Sequence, residues 1–258
     1  MKWNSTPVFS AMLSLITSGS LYAQQEFVEL RREISCFDNT KCINQEFNVS
    51  LPLFDTDAGG KILAATNDSI YQIAGKVLSD MNQEVSFTRR SWKDDQADID
   101  SCEDGISKSE TRELYYSILY NEDDILSFAV RNNWILEQQK ILESDLTSAE
   151  QQLVYCFTLD LKNDVLMDVN TLFPAANRPR VIEMIRNEYD HSYEEDMVKA
   201  GDRLRFCGLL ISPIELLAVY VRMLPDDQSE VRSVELPLSE IHDLMHPFYQ
   251  DKFKLHEE

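Results

Sequence analysis

Alternation of hydrophobic and polar residues runs through much of this chain and predicts β-strands. Residues 26–35 and 47–53 alternate with a period of two, which is the spacing of a strand with one buried face. Similar segments in the second half predict strands at 113–120, 125–131, 152–161, 204–211, 216–224 and 231–236. Four polar residues at 121–124 separate two of these strands and predict a hairpin turn.

Helical periodicity is clearest at 66–82. Apolar residues recur there every three or four positions from Ile70 to Met81, and Thr66 or Asn67 is placed to cap the first turn. Shorter repeats predict two more helices, at 179–189 and at 239–245, the second capped by Ser239. Strand pairs with interspersed helices predict an α+β fold, in which a mainly antiparallel sheet is packed with a few helices.

The first 23 residues have the features of a secretory signal peptide. Lys2 gives a positive start, residues 8–16 are mostly apolar, and a group of small residues ends at Ala23. The apolar run is shorter than the roughly 20 residues that a membrane-spanning helix needs. The alternative is a buried N-terminal strand or helix. A signal peptide predicts a periplasmic or secreted protein, and no other segment is long and apolar enough to span a membrane.

Acidic residues far outnumber basic ones. The chain has 45 Asp and Glu against 24 Lys and Arg, and its formal net charge is -21. Such a charge repels nucleic acids and anionic membrane surfaces, and it favours cations or a basic protein as the partner. The alternative is that the acidity only keeps an envelope protein soluble.

Five cysteines are compatible with disulfide bonds in an oxidising compartment. Cys36 and Cys42 bracket a short polar turn, and a local disulfide between them is the pairing that we predict. Among Cys102, Cys156 and Cys207, one further pair would leave one thiol over. Cys156 and Cys207 both fall in predicted strands, so either could instead be a buried free thiol.

The segment 94–105 is acidic and lacks hydrophobic periodicity. It is predicted to be a surface loop, and it is also a candidate contact surface for a basic partner. Its carboxylates could attract a hard cation, but the order of oxygen ligands in an EF-hand is absent. The six acidic residues are Asp94, Asp95, Asp98, Asp100, Glu103 and Asp104.

Catalytic motifs are scarce. The chain has neither a Gly-x-Ser-x-Gly nucleophile elbow nor a glycine-rich phosphate loop. His242 and His246 stand four residues apart on a predicted helix, so they could share one face as a two-ligand metal clamp. No third ligand can be named, and a chance surface pair is the alternative. The sequence therefore predicts a protein without enzymatic activity, cofactor or metal.

Five aromatic residues cluster in the first hairpin of the second half. By strand alternation, Tyr116 and Tyr120 share one face and Tyr115 lies on the other. One face is predicted to be core, and the other could be an exposed aromatic patch for a glycan or a protein. The set is Tyr115, Tyr116, Tyr120, Phe128 and Trp134.

Several short motifs follow one another in a defined order. They are ILSF at 125–128, CFTLDL at 156–161, TLF at 171–173, GLLI at 208–211 and VELPLSEI at 234–241. In this order they resemble the ectodomain shared by RsiV-type anti-sigma factors and the non-catalytic part of PdaC-type peptidoglycan deacetylases.

The resemblance covers about residues 114–247 and implies an extracytoplasmic α+β domain. Because the RsiV-type ectodomain is a lysozyme receptor, it also implies a lysozyme-like partner. Asn163-Asp164 stands where the family has a Thr-Gly turn, which puts any ligand contact at that turn in doubt. The metal-binding motifs of the deacetylase domain have no counterpart here, so that activity is not implied.

These observations predict four parts of the chain. They are a signal peptide at 1–23, an N-terminal α+β part at 24–105, the RsiV-like part at 106–247 and a polar tail at 248–258. The predicted function is recognition, and inhibition, of a basic cell-wall hydrolase or toxin by a lysozyme-type inhibitor or immunity protein. The alternatives are a non-catalytic module that binds peptidoglycan or sugar, and a metal-dependent hydrolase that uses His242 and His246.

Overall fold

The computed structural model describes residues 25–38, 43–56, 60–84, 106–140, 146–193, 203–224 and 228–253. These residues form two sheets and several helices, so the predicted α+β class is confirmed. The six strands of the large sheet, in spatial order, are β1 (Phe27–Asp38), β2 (Ile43–Phe54), β3 (Ile106–Glu122), β4 (Ile125–Lys140), β5 (Leu146–Asp160) and β6 (Val165–Leu166). The small sheet consists of β7 (Arg203–Ile211), β8 (Glu215–Met223) and β9 (Ser229–Pro237).

The helices are mostly short. They are α1 (Gly60–Glu84), α2 (Val169–Leu172), α3 (Arg178–Ser192), α4 (Leu238–Ile241) and α5 (Pro247–Gln250), with a 3₁₀ turn at His242–Leu244. Among the described helices, none has the length and apolar character that a bilayer crossing demands.

Neighbouring strands pair antiparallel, with one exception. β2 and β3 run parallel, in a register that begins at Ile43 and Lys108 and ends at Val49 and Leu114. The predicted division of the chain near residue 105 remains a prediction, and the strands on its two sides pair in one sheet.

The β3–β4 hairpin turns where the sequence predicts it. Asp123 and Asp124 have φ values of 53° and 61°, which places both central residues in the left-handed region. This is the pattern of a type I′ turn, whose twist matches that of the flanking strands. Aspartate tolerates this conformation better than most non-glycine residues, which explains how the hairpin closes without glycine.

α1 begins at Gly60, earlier than the predicted cap at Thr66 or Asn67. Asn67 does not cap the helix. Its side chain donates to the Phe54 carbonyl at 2.8 Å and accepts from the Phe54 amide at 3.1 Å, which fastens α1 to the end of β2. The first turn is held instead by the distant Asp164, whose carboxylate accepts from the Ile62 amide at 2.6 Å.

Gly60 is required at this join. Its φ is +68°, and a Cβ atom there would lie 2.9 Å from Oδ1 of Asp164. Both the backbone conformation and the space therefore exclude a larger side chain without local distortion.

Two hydrophobic cores lie on the two sides of the large sheet. The first, between this sheet and α1, is built around Phe47, Leu63, Leu114, Leu126, Phe128 and Leu159, which are fully buried. The second is enclosed with the small sheet and the short helices, and its fully buried members include Leu172, Phe173, Val181, Ile211, Leu216 and Ile241. The large sheet is therefore the middle layer of the fold.

Buried hydroxyl groups join the two sheets. The Ile211 amide of β7 donates to Oγ of Ser127 at 2.8 Å, and the Thr158 hydroxyl donates to the Leu209 carbonyl at 2.8 Å. The two hydroxyl oxygens lie 3.0 Å apart, and because the Thr158 proton is already used, Ser127 is the donor between them. Ser127 and Thr158 are 0% and 1% exposed, so water does not replace these bonds.

A second bond set ties β9 to β5 in the same way. The Ser229 hydroxyl accepts from the Gln152 amide and donates to the Gln152 carbonyl, each at 2.8 Å. Each end of the small sheet is thereby anchored to β5 by one buried hydroxyl, Thr158 at one end and Ser229 at the other.

The C-terminal residues enter the second core. The sequence predicts a polar tail from residue 248, but Tyr249 and Phe253 are buried. The Tyr249 hydroxyl donates to Asp160 Oδ2 at 3.1 Å. Asp160 is fully buried and also accepts from the amide and side chain of Asn163, at 3.0 and 2.7 Å. This partner inside the core explains why the tyrosine is not solvated.

The predicted helix at 239–245 is interrupted. α4 ends at Ile241, a 3₁₀ turn follows, and Met245 is extended. The residue that caps α4 is Pro237, and Ser239 lies inside the helix, so the predicted serine cap is wrong.

We expect Ser127→Ala to lower the free energy of unfolding by about 1–3 kcal/mol, because the buried Ile211 amide loses its acceptor. Urea denaturation measures this. The matched control is Ser239→Ala, at an exposed position, which should change stability by no more than about 0.5 kcal/mol. Equal effects of the two substitutions would contradict the hydroxyl link.

Tyr249 should titrate late. Burial first, and then the charge and hydrogen bond of Asp160, raise the pKa of Tyr249 from 10.0 to about 12. Because the folded-state pKa is the higher one, this stabilisation is complete below pH 10 and is lost as pH rises through 12. In a spectrophotometric titration, Tyr249→Phe should remove the step near pH 12, whereas Tyr71→Phe, at a half-exposed ring, should leave it in place.

Candidate functional site

A polar groove of about 540 Å³ opens between β1, β2 and β3. It lies where the parallel pairing of β2 with β3 ends, at Val49 and Leu114. Three strands supply its polar side chains: Glu29, Arg31, Asn48, Ser50, Glu113 and Tyr115. We take this groove as the candidate functional site among the described residues because it gathers charged and hydrogen-bonding groups on an accessible surface.

The groove has ordered internal contacts. The Ser50 hydroxyl donates to Glu29 Oε1, and the Asn133 side chain donates to the Tyr115 hydroxyl at 3.4 Å. Glu29 and Arg31 are both exposed on β1, and Glu113 faces them from β3. Two carboxylates against one guanidinium give the groove a negative balance, which suits a lysine or arginine side chain of a partner.

The charge of Glu29 also affects a tyrosine that is adjacent in sequence to a groove residue. Burial first, and the nearby Glu29 carboxylate second, raise the pKa of Tyr116 above its ordinary value. Tyr116 follows the groove residue Tyr115 in β3 and lies on the opposite face, against the first core.

A buried carboxylate lies further along β3. Glu110 is 5% exposed and accepts from Arg112 Nε at 2.7 Å, from Trp134 Nε1 at 2.6 Å and from the Gln45 side chain. The arginine also lies over the Trp134 ring, 6.0 Å from its centroid. Both carboxylate oxygens accept hydrogen bonds from donors of β2, β3 and β4, so the buried cluster joins three strands.

The sequence analysis did not single out Glu110 or the groove. A signal for Glu110 exists, because strand alternation places it on the same face as the core residue Leu114. The groove has no comparable signal, since the parallel contact of β2 with β3 brings together residues that are far apart in the chain.

The two histidines do not form a clamp on one helix face. His242 is in the 3₁₀ turn, and its Nε2 is 3.0 Å from the carbonyl oxygen of Gln250. His246 is exposed and precedes α5, so the two residues do not share a helix face. Across the described ranges, no group of three or more His, Cys, Asp or Glu side chains could hold a metal ion.

The acidic loop lies outside the described residues. This applies to all six predicted contacts, Asp94, Asp95, Asp98, Asp100, Glu103 and Asp104. Cys42 also lies outside them, and of Cys36 only the backbone, in β1, is described. The acidic contact surface and the Cys36–Cys42 disulfide therefore remain predictions.

A β-bulge changes the predicted faces of the aromatic hairpin. Ile118 pairs with Phe128 but Tyr120 pairs with Ser127, so Leu119 is an extra residue in β3. The extra residue reverses the alternation. Tyr116 packs against Phe27 in the first core, and Tyr120 packs against Phe253 in the second, which makes the predicted shared face wrong.

The remaining rings of the hairpin are also engaged. Phe128 is fully buried and stacks on Phe157, with centroids 4.9 Å apart. Trp134 binds Glu110, and Tyr115 accepts from Asn133. All five aromatic residues that were considered for an exposed patch are buried or half-buried, so they do not form one.

An exposed aromatic ring occurs on the small sheet instead. Phe206 of β7 is 49% exposed and contacts Tyr220, which in turn contacts Tyr189 of α3, with both centroid distances at 5.3 Å. Leu204, two residues before Phe206, is 40% exposed. An exposed aromatic ring at a sheet edge is the kind of surface that can stack on a sugar ring.

Comparisons with known proteins give structural neighbours only. No family model matches the chain, and no curated protein matches it. A DUF3298 family protein from Bacteroides fragilis NCTC 9343 is similar in structure, with 10% identity and a TM-score of 0.48, over 86% of this chain and 94% of that chain. A DUF3298 family protein from Pseudomonas aeruginosa PAO1 has 8% identity and a TM-score of 0.46, over 87% of this chain and 96% of that chain. Similarity at this level carries no conclusion about function.

Replacing Glu110 should destabilise the fold. In Glu110→Ala, the donors of Gln45, Arg112 and Trp134 lose a shared buried acceptor, and we expect the free energy of unfolding to fall by about 1–3 kcal/mol. Denaturation followed by tryptophan fluorescence measures the change. Glu113→Ala, three residues further along β3 in the groove, is the control and should have the smaller effect. The reverse order would contradict an anchoring role for Glu110.

Proposed function

We propose that this chain is a non-catalytic, extracytoplasmic protein that recognises and inhibits a basic cell-wall hydrolase or toxin. The observation that carries the proposal is the acidic surplus, 45 acidic against 24 basic residues and a net charge of -21. A surface of one sign attracts a partner of the opposite sign during diffusion and disfavours partners of like sign. Lysozyme-like hydrolases that act on anionic cell walls have the basic surface that such a protein would select.

The resemblance to the RsiV-like ectodomain supports a partner of this kind. Its motifs lie in the inner frame of the fold, where Ser127 and Thr158 hydrogen-bond to β7 between Leu209 and Ile211. The resemblance therefore supports a shared arrangement of the two sheets and this class of partner, without locating the surface that binds the partner. The signal peptide predicted at 1–23 supports an extracytoplasmic location.

The acidic groove and the acidic loop predicted from the sequence are the two candidates for the contact. The groove offers Glu29 and Glu113 beside hydrogen-bonding groups of Asn48, Ser50 and Tyr115, which can bind a lysine or arginine side chain. The loop at 94–105 is the second candidate. In this proposal, the acidic surface covers the substrate cleft of the hydrolase and thereby blocks its access to the cell wall.

Binding to a purified basic lysozyme tests the proposal. The mature chain, from residue 24 onward, should bind the enzyme and reduce its lysis of cell walls. Because the attraction is electrostatic, raising the salt concentration from about 0.05 M to about 0.5 M should weaken binding at least roughly tenfold. Absence of binding and inhibition with every basic hydrolase tested, or affinity independent of salt, would contradict the proposal.

Matched charge variants separate the two surfaces. One variant neutralises four loop carboxylates: Asp94→Asn, Asp95→Asn, Asp98→Asn and Asp100→Asn. A second neutralises the groove with Glu29→Gln and Glu113→Gln. The control for the loop variant removes four exposed charges from other surfaces: Glu183→Gln, Asp190→Asn, Glu240→Gln and Asp243→Asn. The first two of these substitutions alone are the control for the groove variant. A contact surface is identified by a larger loss of affinity than the control shows.

A sugar-binding module is the second candidate function. The observation in its favour is the half-exposed Phe206 ring beside Tyr220. Retention on insoluble peptidoglycan without any protein partner, lost in Phe206→Ala, would replace the inhibitor proposal with this one. Ile182→Ala, an exposed apolar side chain on α3, is the matched control.

A further inference from the structure

Two cysteines from different sheets pack against the same buried cluster. Cys156 is in β5 of the large sheet and Cys207 is in β7 of the small sheet, and both are free thiols in this structure. The cluster that both of them contact is formed by Ala129, Val154, Leu210, Val219 and Val221. The thiols therefore share one apolar compartment between the sheets.

A bulge in β7 directs Cys207 toward β5. Phe206 pairs with Tyr220 and Gly208 pairs with Val219, so Cys207 is the extra residue. In a bulge, two residues of one strand oppose a single residue of the other, and the strict alternation of faces is lost. Cys207 therefore reaches the inner face of the small sheet, where it joins the apolar cluster.

The backbone of β7 comes very close to Cys156 at the next residue. Gly208 has a φ of +143°, and a Cβ atom there would lie 3.0 Å from Cβ of Cys156 and 4.0 Å from its Cα. Only glycine permits this approach without a shift. Cys207 directly precedes Gly208, so its Cα lies about 3.8 Å from the Cα of Gly208.

The two thiols also interact electrostatically. Burial first, and then the charge of Cys207, raise the pKa of Cys156 to about 12, while Arg131 acts in the opposite direction.

We propose that Cys156 and Cys207 are a redox pair that forms a disulfide bond between the two sheets. In the reaction two S–H bonds break and one S–S bond forms. Two electrons and two protons pass to an oxidant that itself contains a disulfide, such as oxidised glutathione or a thiol–disulfide oxidoreductase, which is reduced to two thiols. The proposal does not rest on the proposed inhibitor function, because neither cysteine lines the groove.

The order of the two thiols follows from their surroundings. Burial raises the pKa of Cys207, but the charge of Arg205 and a hydrogen bond with Val221 act against this. Cys207 is also the less buried thiol, so it meets the oxidant first and forms the mixed disulfide. Cys156 then attacks the sulfur of Cys207 and releases the reduced half of the oxidant.

Peptide mapping tests the proposal. The mature protein is incubated with oxidised glutathione, its remaining thiols are alkylated, and it is digested without reduction. Mass spectrometry should find one peptide pair linked through Cys156 and Cys207. Its closure should raise Tm by about 10 °C relative to the reduced protein, since it shortens the unfolded chain between the two positions.

A variant that retains only this pair makes the outcome unambiguous. It carries Cys36→Ser, Cys42→Ser and Cys102→Ser, and its two remaining thiols should become inaccessible to alkylation after oxidation. The matched control adds Cys207→Ser to this variant. It cannot form the disulfide, so reduction should leave its Tm unchanged. If the variant does not fold, the mapping of the unmodified sequence decides. Persistent alkylation of both thiols, or a link from either one to Cys102, would overturn the proposal.

Discussion

The fold depends on a pair of buried hydroxyl groups. β7 crosses the large sheet with an amide and a carbonyl directed into an interior from which water is excluded. Ser127 accepts from one and Thr158 donates to the other, and the bond between the two side chains completes the set. A buried backbone group without a partner costs about 1–3 kcal/mol. These two side chains remove that cost where the small sheet docks beside the second core around Ile211 and Leu216.

Buried and exposed carboxylates have different roles in this chain. Asp160 and Glu110 lie inside, where each is surrounded by donors and holds several elements together. The exposed carboxylates, including Glu29 in the groove, give the molecule its strong negative field. Packing energetics therefore explains the first group, and only the second group is available for a partner. The ordered motifs of the sequence lie in strands and helices that contribute to the cores. They therefore indicate a fold more readily than a binding surface.

Strand and helix existence could be predicted because their periodicities are local. The antiparallel hairpin with its aspartate turn, the long α1 and the small sheet all follow from patterns of two or 3.6 residues. The errors arise where a distant contact or an irregular pairing overrides the local pattern. α1 begins early because Asp164 holds its first turn. The faces of Tyr116 and Tyr120 differ because Leu119 is inserted as a bulge, and nothing in the local pattern marks that residue.

The candidate site was harder to predict than the fold. Tyr115 was considered, but for a different surface, and Glu29 and Glu113 are ordinary strand positions when the sequence is considered alone. They meet only because β2 and β3 are parallel neighbours, which alternation within a single strand does not specify. The burial of Tyr249 and Phe253 was missed for a similar reason. It depends on contacts with Asp160 and Tyr120, which are far away along the chain.

The parallel contact between β2 and β3 also has a kinetic consequence. The β3–β4–β5 meander can form from contacts between sequence neighbours, whereas β2 reaches β3 only after the long crossover containing α1 has closed. Contacts between distant residues form slowly because the entropy of loop closure must be overcome first. The groove is therefore expected to form late in folding, when β2 pairs with β3. A partner that binds in the groove, and only to the folded chain, stabilises the pairing of β2 with β3. Its binding free energy is thereby added to the free energy of unfolding, so binding and folding stability are thermodynamically linked.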